Sequence, residues 1–259
     1  MDPNGKRAVI TGGASGLGAA VVQSLLMAGA QVAVLDRHIA HIAPQQGLLA
    51  IECDITNDAH VEAAIGQVVA DLGGIDICLN CAGIGGIGPI ATLAGPGDMD
   101  QFRHVVDVNL LGAVNVTRFA AHHMMHNEPQ GTDGARGIII NTASIASYEG
   151  QEGMGPYAAS KAALAALVLV WARDLSRHNI RAMGIAPGFF ETPLTHDIPD
   201  TLVDELLETV EYPRRPGRAE EFAELAMFII RNEMLNGEVI RIDGGTRPPA
   251  RTRWAAGEG

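Results

Sequence analysis

Ala8-Val9-Ile10-Thr11-Gly12-Gly13-Ala14-Ser15-Gly16-Leu17-Gly18 runs from a short apolar stretch into a glycine-rich turn and then into an apolar helical pattern. It reads as a β-strand over 7–11, a tight βα turn, and a helix over 16–28 closed by Gly29. Gly12, Gly16 and Gly18 let the backbone turn sharply and approach a pyrophosphate, which the positive end of the following helix would stabilise. Such turns can also serve packing alone. Here the turn joins a first strand to a first helix, and that position favours nucleotide binding.

Working outward, short apolar runs alternate with helical stretches along the whole chain, the pattern of βαβ units around a parallel sheet. Strands are expected over 7–11, 31–36, 48–54, 75–80, 137–144, 180–186 and 238–243. Helices are expected over 16–28, 58–72, 99–126, 156–178, 201–209 and 219–231. The expectation is one α/β domain over 1–259 of the Rossmann type, a doubly wound, seven-stranded parallel sheet with helices on both faces. Ligands of such sheets bind beyond the carboxyl ends of the strands. Asn80-Cys81-Ala82-Gly83, Ser144 and Pro187-Gly188 all follow expected strand ends. The Gly- and Pro-rich segments 84–98 and 189–216 leave the same edge and are candidate walls of a substrate cleft.

A net charge of −12 argues against nucleic acid or an anionic membrane as partner, because both need clustered cations. The apolar run 162–172 is shorter than a bilayer span. Met1 to Arg7 leads directly into a strand, without the apolar stretch of a signal peptide, so a cytoplasmic protein is expected. Cys53, Cys78 and Cys81 are an odd number, against a disulfide framework. Cys78 and Cys81 have the spacing of a redox pair but end a buried strand, which points to a structural role. His122 and His126 have an i, i+4 zinc-face spacing without a third ligand, so no metal is expected.

Asp36 ends the second strand eighteen residues after Gly18, the place of an acid that bonds adenosine ribose hydroxyls. Its charge favours NAD over NADP; Arg37 beside it is the residue that would accommodate a 2′-phosphate. Asp54 and Ile55 follow the third strand, where one polar and one apolar contact would hold the adenine. Tyr157 and Lys161 are four apart and share a helix face. Free tyrosine titrates near ~10, and a neighbouring ammonium is expected to lower it. The chain has only two lysines, Lys6 and Lys161, and otherwise uses arginine, so a compact ammonium at 161 fits a specific need.

Thr-Gly-x-x-x-Gly-x-Gly at 11–18, Asn-Cys-Ala-Gly at 80–83, Asn109, Ser144, Tyr157-x-x-x-Lys161 and Pro187-Gly188 occur in an order that resembles the short-chain dehydrogenases/reductases over essentially the whole chain. Ile10 to Gly18, Asn127-Glu128-Pro129, Ile139 to Ser144, Phe190 to Leu194 and Asn236 to Arg241 look most like the type-2 3-hydroxyacyl-CoA dehydrogenases, also called 17β-hydroxysteroid dehydrogenase type 10. The resemblance implies hydride transfer between NAD and a secondary alcohol or ketone, with Tyr157 as acid/base, Ser144 holding the substrate oxygen, Lys161 bonding the nicotinamide ribose and Asn109 holding a relay water. It also implies cofactor contacts from Ser15, Leu17, Asp54, Ile55, Asn80, Cys81, Ala82, Gly83, Tyr157, Pro187, Gly188, Phe190 and Thr192, a substrate contact from Gln151, and a homotetramer.

The nearly apolar middle of helix 156–178 is consistent with a subunit interface. Departures from the family cluster at the cleft, in segment 84–98, Tyr148 and Glu191, and in the longer tail over 248–254; the end of the chain over 246–259 reads as an arm or a disordered end. The leading expectation is a 3-hydroxyacyl-CoA or hydroxysteroid-type substrate, with Arg214 and Arg215 available to CoA phosphates or simply solvated. Alternatives are a carbonyl reductase or alcohol dehydrogenase for bulky apolar ketones, and a nucleotide sensor without turnover.

Overall fold

The computed structural model describes residues 1–195 and 200–251. Seven strands form one sheet in the order β3-β2-β1-β4-β7-β8-β9, with every neighbouring pair parallel. They are β1 (Arg7–Thr11), β2 (Gln31–Asp36), β3 (Leu48–Glu52), β4 (Ile77–Asn80), β7 (Gly137–Thr142), β8 (Ile180–Pro187) and β9 (Val239–Ile242). Strand order reverses between β1 and β4, so a crevice opens beyond their carboxyl ends.

Period-two alternation sends side chains of one strand to two different cores. Ala8 and Ile10 of β1, Val32 and Val34 of β2, and Ile77 and Leu79 of β4 pack beneath α1 (Gly16–Met27) and α7 (Ala219–Arg231). Val9, Ala33, Leu35 and Cys78 face the other way, toward α2 (Asp58–Leu72) and α4 (Gly112–Met124). Strands covered on both faces read as continuous apolar runs, which is why the sequence pattern located them.

Differences from expectation fall at ends and breaks. The assigned fourth strand starts at Ile77, although Asp76 still bonds both neighbouring strands through its backbone, its N–H donating to Arg7 O (2.7 Å) and its carbonyl accepting from Ile138 N (2.9 Å), while its carboxylate accepts from the Arg7 backbone N–H (2.9 Å) and guanidinium (2.7 and 2.8 Å). The single helix expected over 99–126 is α3 (Met99–Val106), a π-helical segment (Asp107–Leu111) and then α4. Segment 84–98 contains a small antiparallel ribbon, β5 (Ala91–Thr92) with β6 (Gly95–Pro96), too short to show as a strand pattern.

The apolar run 162–172 lies within α5 (Gly155–Ser176), 22 residues long and, by length and composition, apolar enough to cross a membrane. Leu164, Val168, Ala172 and Leu175 of α5 are buried, and its first two turns carry Tyr157 and Lys161. α6 spans Asp200–Glu208. Of the expected tail over 246–259, residues 252–259 lie outside the described residues. Its described part is docked rather than loose: Ala250 accepts from Glu152 N (2.9 Å) and Arg251 pairs with Glu152 (2.9 Å).

Candidate active site

A cavity of about 390 Å³ lies at the carboxyl edge of β1, β2, β4, β7 and β8. Gly12, Ser15, Gly16, Leu17 and Gly18 line it from the first turn, and Asp36, Asp54 and Ile55 from the ends of β2 and β3. Cys81, Ala82 and Gly83 follow β4, Ser144 follows β7, Pro187 ends β8, and Gly188, Phe190 and Thr192 follow it. Tyr157 and Lys161 enter from α5. The parallel sheet thus collects residues up to 180 positions apart along one rim.

Local bonds shape this rim. A Cβ on Gly12 would stand 2.7 Å from Ala82 N, so the two strand-end turns touch through a position open only to glycine. The Thr11 hydroxyl fastens them by accepting from Cys81 N and Ala82 N, both at 3.1 Å. Ser15 makes no side-chain cap to α1, leaving the first-turn N–H groups for an anion. Asp36 is held by Ala14 N (3.2 Å) and His38 N (3.1 Å), with its carboxylate on the cavity wall. Asp54 is similarly fixed, accepting from Thr56 N and Oγ1; these bonds keep its carboxyl below the ordinary range. These features fit a nicotinamide dinucleotide: uncapped amides for the pyrophosphate, a pinned carboxylate for the ribose and a narrow shared floor.

Three expected site residues do not line the cavity. Asn80 is buried and donates to Thr117 Oγ1 (2.8 Å) and Asn141 Oδ1 (2.9 Å), so it braces β4 against its neighbours. Asn109, fully buried in the π-helical segment, accepts from Ile84 N (2.8 Å) and donates to Ile84 O (2.9 Å) and Ser160 Oγ (3.2 Å). These bonds tie the loop after β4 to α5 and leave the side chain engaged within the protein. Helical segments of this kind recur at functional sites. Gln151 borders a second cavity and donates to Pro249 O (3.2 Å).

Sequence reasoning missed Val108, Thr142 and Leu194 as cavity residues. Thr142 supplies the carbonyl that accepts from Lys161 Nζ at 2.8 Å, a backbone role with no side-chain signature. Thr11 belonged to the glycine-turn motif and was findable there.

The expected effect of Lys161 on the phenol is not what this structure shows. Tyr157 is held above the ordinary phenol range, chiefly by burial; a hydrogen bond with Ser144 opposes that and Cys81 adds to it. Lys161 Nζ lies 5.8 Å from the Tyr157 ring centroid and is itself pushed down to about 8 by burial. Ser144 Oγ accepts from Ala146 N (3.1 Å), and its hydroxyl is also bonded to Tyr157, which places the two side chains together. Burial also raises Cys78 to about 12 and Cys81 above its usual value, and both are free thiols, as a structural role requires. His122 and His126 pack edge to face at 4.9 Å, and no group of three or more metal-ligating side chains occurs among the described residues.

The family model for short chain dehydrogenases matches residues 6–202. A human protein, 3-hydroxyacyl-CoA dehydrogenase type-2, is 42% identical over 247 residues, covering 93% of this chain and 94% of the relative. The crystal structure of 3-hydroxyacyl-CoA dehydrogenase type-2 from Mycobacterium avium superposes with a TM-score of 0.88 at 35% identity, covering 95% of this chain and 97% of that one. The 3-ketoacyl-(acyl-carrier-protein) reductase from Brucella melitensis, complexed with NADH, gives 0.84 at 28% identity, covering 94% and 98%.

Proposed function

The chain belongs to the short chain dehydrogenase family, and from that premise we propose that it is an NAD-dependent enzyme interconverting a 3-hydroxyacyl thioester, or a hydroxysteroid-type alcohol, with its ketone. The observation that carries the reading is the meeting of Ser144, Tyr157 and Lys161 on one cavity whose far wall holds the pinned Asp36 carboxylate. The Asp36 carboxylate would repel a 2′-phosphate, which supports NAD over NADP, while Arg37 on the same cavity wall is the residue that would accommodate one. The relatives named for 3-hydroxyacyl-CoA support the substrate class.

Bound nicotinamide supplies the hydride acceptor in oxidation and the donor in reduction. In oxidation Tyr157, as phenolate, takes the proton from the substrate hydroxyl, and the carbinol C–H electron pair leaves with the hydride as the carbonyl forms. In reduction the neutral phenol returns that proton to the carbonyl oxygen. Ser144, whose hydroxyl bonds Tyr157 in the ligand-free protein, would turn its hydroxyl proton to the substrate oxygen and orient it. Lys161, fixed through Thr142 O, keeps two further N–H donors for the nicotinamide ribose and adds positive charge near the phenol. Asn109 is assigned a positioning role through Ile84 and Ser160 in place of a side-chain-held relay water.

The proposal includes a single nucleotide-binding unit over 1–259, with substrate walls from 84–98 and 189–216. It also includes a cytoplasmic homotetramer, supported by exposed Leu169 and Val170 on α5 and Phe228 on α7. One observation favours the alternative of a bulky apolar ketone. Arg215 is engaged by Glu221 at 2.6 and 2.9 Å, which leaves only Arg214 of that pair for CoA phosphates.

The test is NADH absorbance with acetoacetyl-CoA, a steroid ketone and a bulky diketone, repeated with NADPH. Preference for the CoA ester with NADH is expected. Preference for the diketone, or for NADPH, overturns the corresponding assignment.

A further inference from the structure

Residues 37–47 join β2 to β3 without a helix or strand of their own, and His41 in the middle of them bonds back to the nucleotide turn. Its Nε2 donates to Ala14 O at 3.0 Å. A carbonyl oxygen only accepts, so this nitrogen carries a proton whether the ring is neutral or charged. The bond therefore survives titration of the ring. Nothing in the sequence marked His41, which lies five positions beyond Asp36 and outside every motif.

This tether matters because of where the sheet stops. Pairing between β1 and β2 ends at Thr11 and Leu35, with Gly12 N donating to Leu35 O (3.0 Å) just beyond. Past that point the strand ladder no longer fixes the spacing between the glycine turn and Asp36. A ring of side-chain bonds does so instead. Ala14 N donates to Asp36 Oδ2 (3.2 Å), His38 N donates to Asp36 Oδ1 (3.1 Å), and His41 returns to Ala14 O. Ala14 is thus gripped through both of its backbone polar groups, two residues before α1 begins at Gly16.

Ile42 anchors the outer side of this ring. It packs, partly buried, against the core beneath α1, and its N–H donates to Ile39 O (2.9 Å) in the turn that presents His41. Arg37 and His38 line the cavity, whereas His41 acts on it through Ala14. Without the His41 bond, Ala14 O turns to water, and the loop that supplies His38 N to Asp36 loses its tie to the turn.

We propose that His41 is a positioning residue for the adenosine half of the dinucleotide. By holding Ala14 against the loop after β2, it sets the separation between the Asp36 carboxylate, which takes the ribose hydroxyls, and the α1 amides, which take the adjoining phosphate. The proposal rests on the nucleotide reading of the cavity and is independent of which alcohol is oxidised. His41 is exposed, so losing its one bond should weaken adenosine-side binding about two- to tenfold.

The experiment compares wild type with His41→Ala, His41→Gln and His41→Asn. Dissociation constants are measured for NADH by nucleotide fluorescence, and for AMP and nicotinamide mononucleotide by displacement of NADH. His41→Ala should weaken NADH and AMP about two- to tenfold and leave nicotinamide mononucleotide, which lacks the adenosine, unchanged. His41→Gln should restore AMP binding, because its terminal amide nitrogen reaches the place of Nε2; His41→Asn is one bond shorter and should not.

Equal loss for the two mononucleotides would mean a general loosening of the fold and overturns the positioning role. Asn restoring as well as Gln overturns it too, as does AMP binding that is the same in all four proteins. In each of those cases the nucleotide reading stands. A wild type that binds neither NADH nor AMP removes the nucleotide reading and the role of His41 with it.

Discussion

Lys161→Met should make the enzyme less active while leaving the ligand-free protein no less stable, and the pH dependence of the stability difference follows from the structure. Lys161 is 4% exposed and pushed from 10.5 down to about 8 by burial. The unfolded chain therefore binds a proton that the folded chain has lost between those two values, and wild-type stability rises with pH through that window. The whole shift corresponds to about 3 kcal/mol, at about 1.4 kcal/mol per pH unit where the slope is full.

At neutral pH the variant is relieved of that penalty but loses the bond to Thr142 O, a cost of about 1–3 kcal/mol for an orphaned carbonyl. The two nearly offset, so the melting temperature should move by no more than a few degrees, at roughly 2–4 °C per kcal/mol for a chain of this size. The bond's loss is independent of pH, whereas the proton's is not. Urea unfolding followed by far-UV circular dichroism, at fixed protein concentration and without cofactor, should show wild type gaining about 3 kcal/mol on the variant between pH 8 and 10.5. Parallel stability curves across that window would refute a buried, burial-depressed ammonium.

Three further outcomes are expected. Tyr157→Phe should lower kcat about 10²–10⁴-fold while leaving NADH binding, followed by nucleotide fluorescence, within about twofold; retained turnover would remove Tyr157 as acid/base. Because burial holds the phenol above its ordinary value, ketone reduction should stay level through neutral pH and decline only as Tyr157 deprotonates, while alcohol oxidation should climb with pH over the same range; pH profiles of kcat in both directions check this, and oxidation already level at neutral pH would contradict it. Asp76→Ala should cost about 3 kcal/mol in urea unfolding, because it leaves the Arg7 guanidinium without the buried carboxylate that bonds it at 2.7 and 2.8 Å; a loss below about 1 kcal/mol would mean that the pair contributes little.

The sequence was most informative where a residue's local neighbours determine its role. α2 and α7 begin and end where the apolar period and the breakers placed them, at Asp58–Leu72 and Ala219–Arg231. The glycine turn, Asp36 and the Tyr157/Lys161 pair were legible because each depends on a short spacing along one element. Legibility failed at Asn109. Its bonds to Ile84 and Ser160 span 25 and 51 positions, and the π-helical segment around it answers partners that no local pattern contains. Gln151 failed similarly, since its amide is claimed by Pro249, 98 residues away.

By itself, then, the sequence determined the parallel doubly wound sheet, the nucleotide turn and the set of residues that meet at the strand ends, because periodicity and spacing are properties of the chain. The tertiary structure alone decided how those residues titrate and which of them only brace others. Burial depends on everything packed around a group. It therefore reverses the expectation for Tyr157, which the sequence placed beside a pKa-lowering lysine and the fold holds above its ordinary value. The same packing forms the apolar cavity beside Pro156, whose walls come from segments some fifty residues apart and carry no signature in either one.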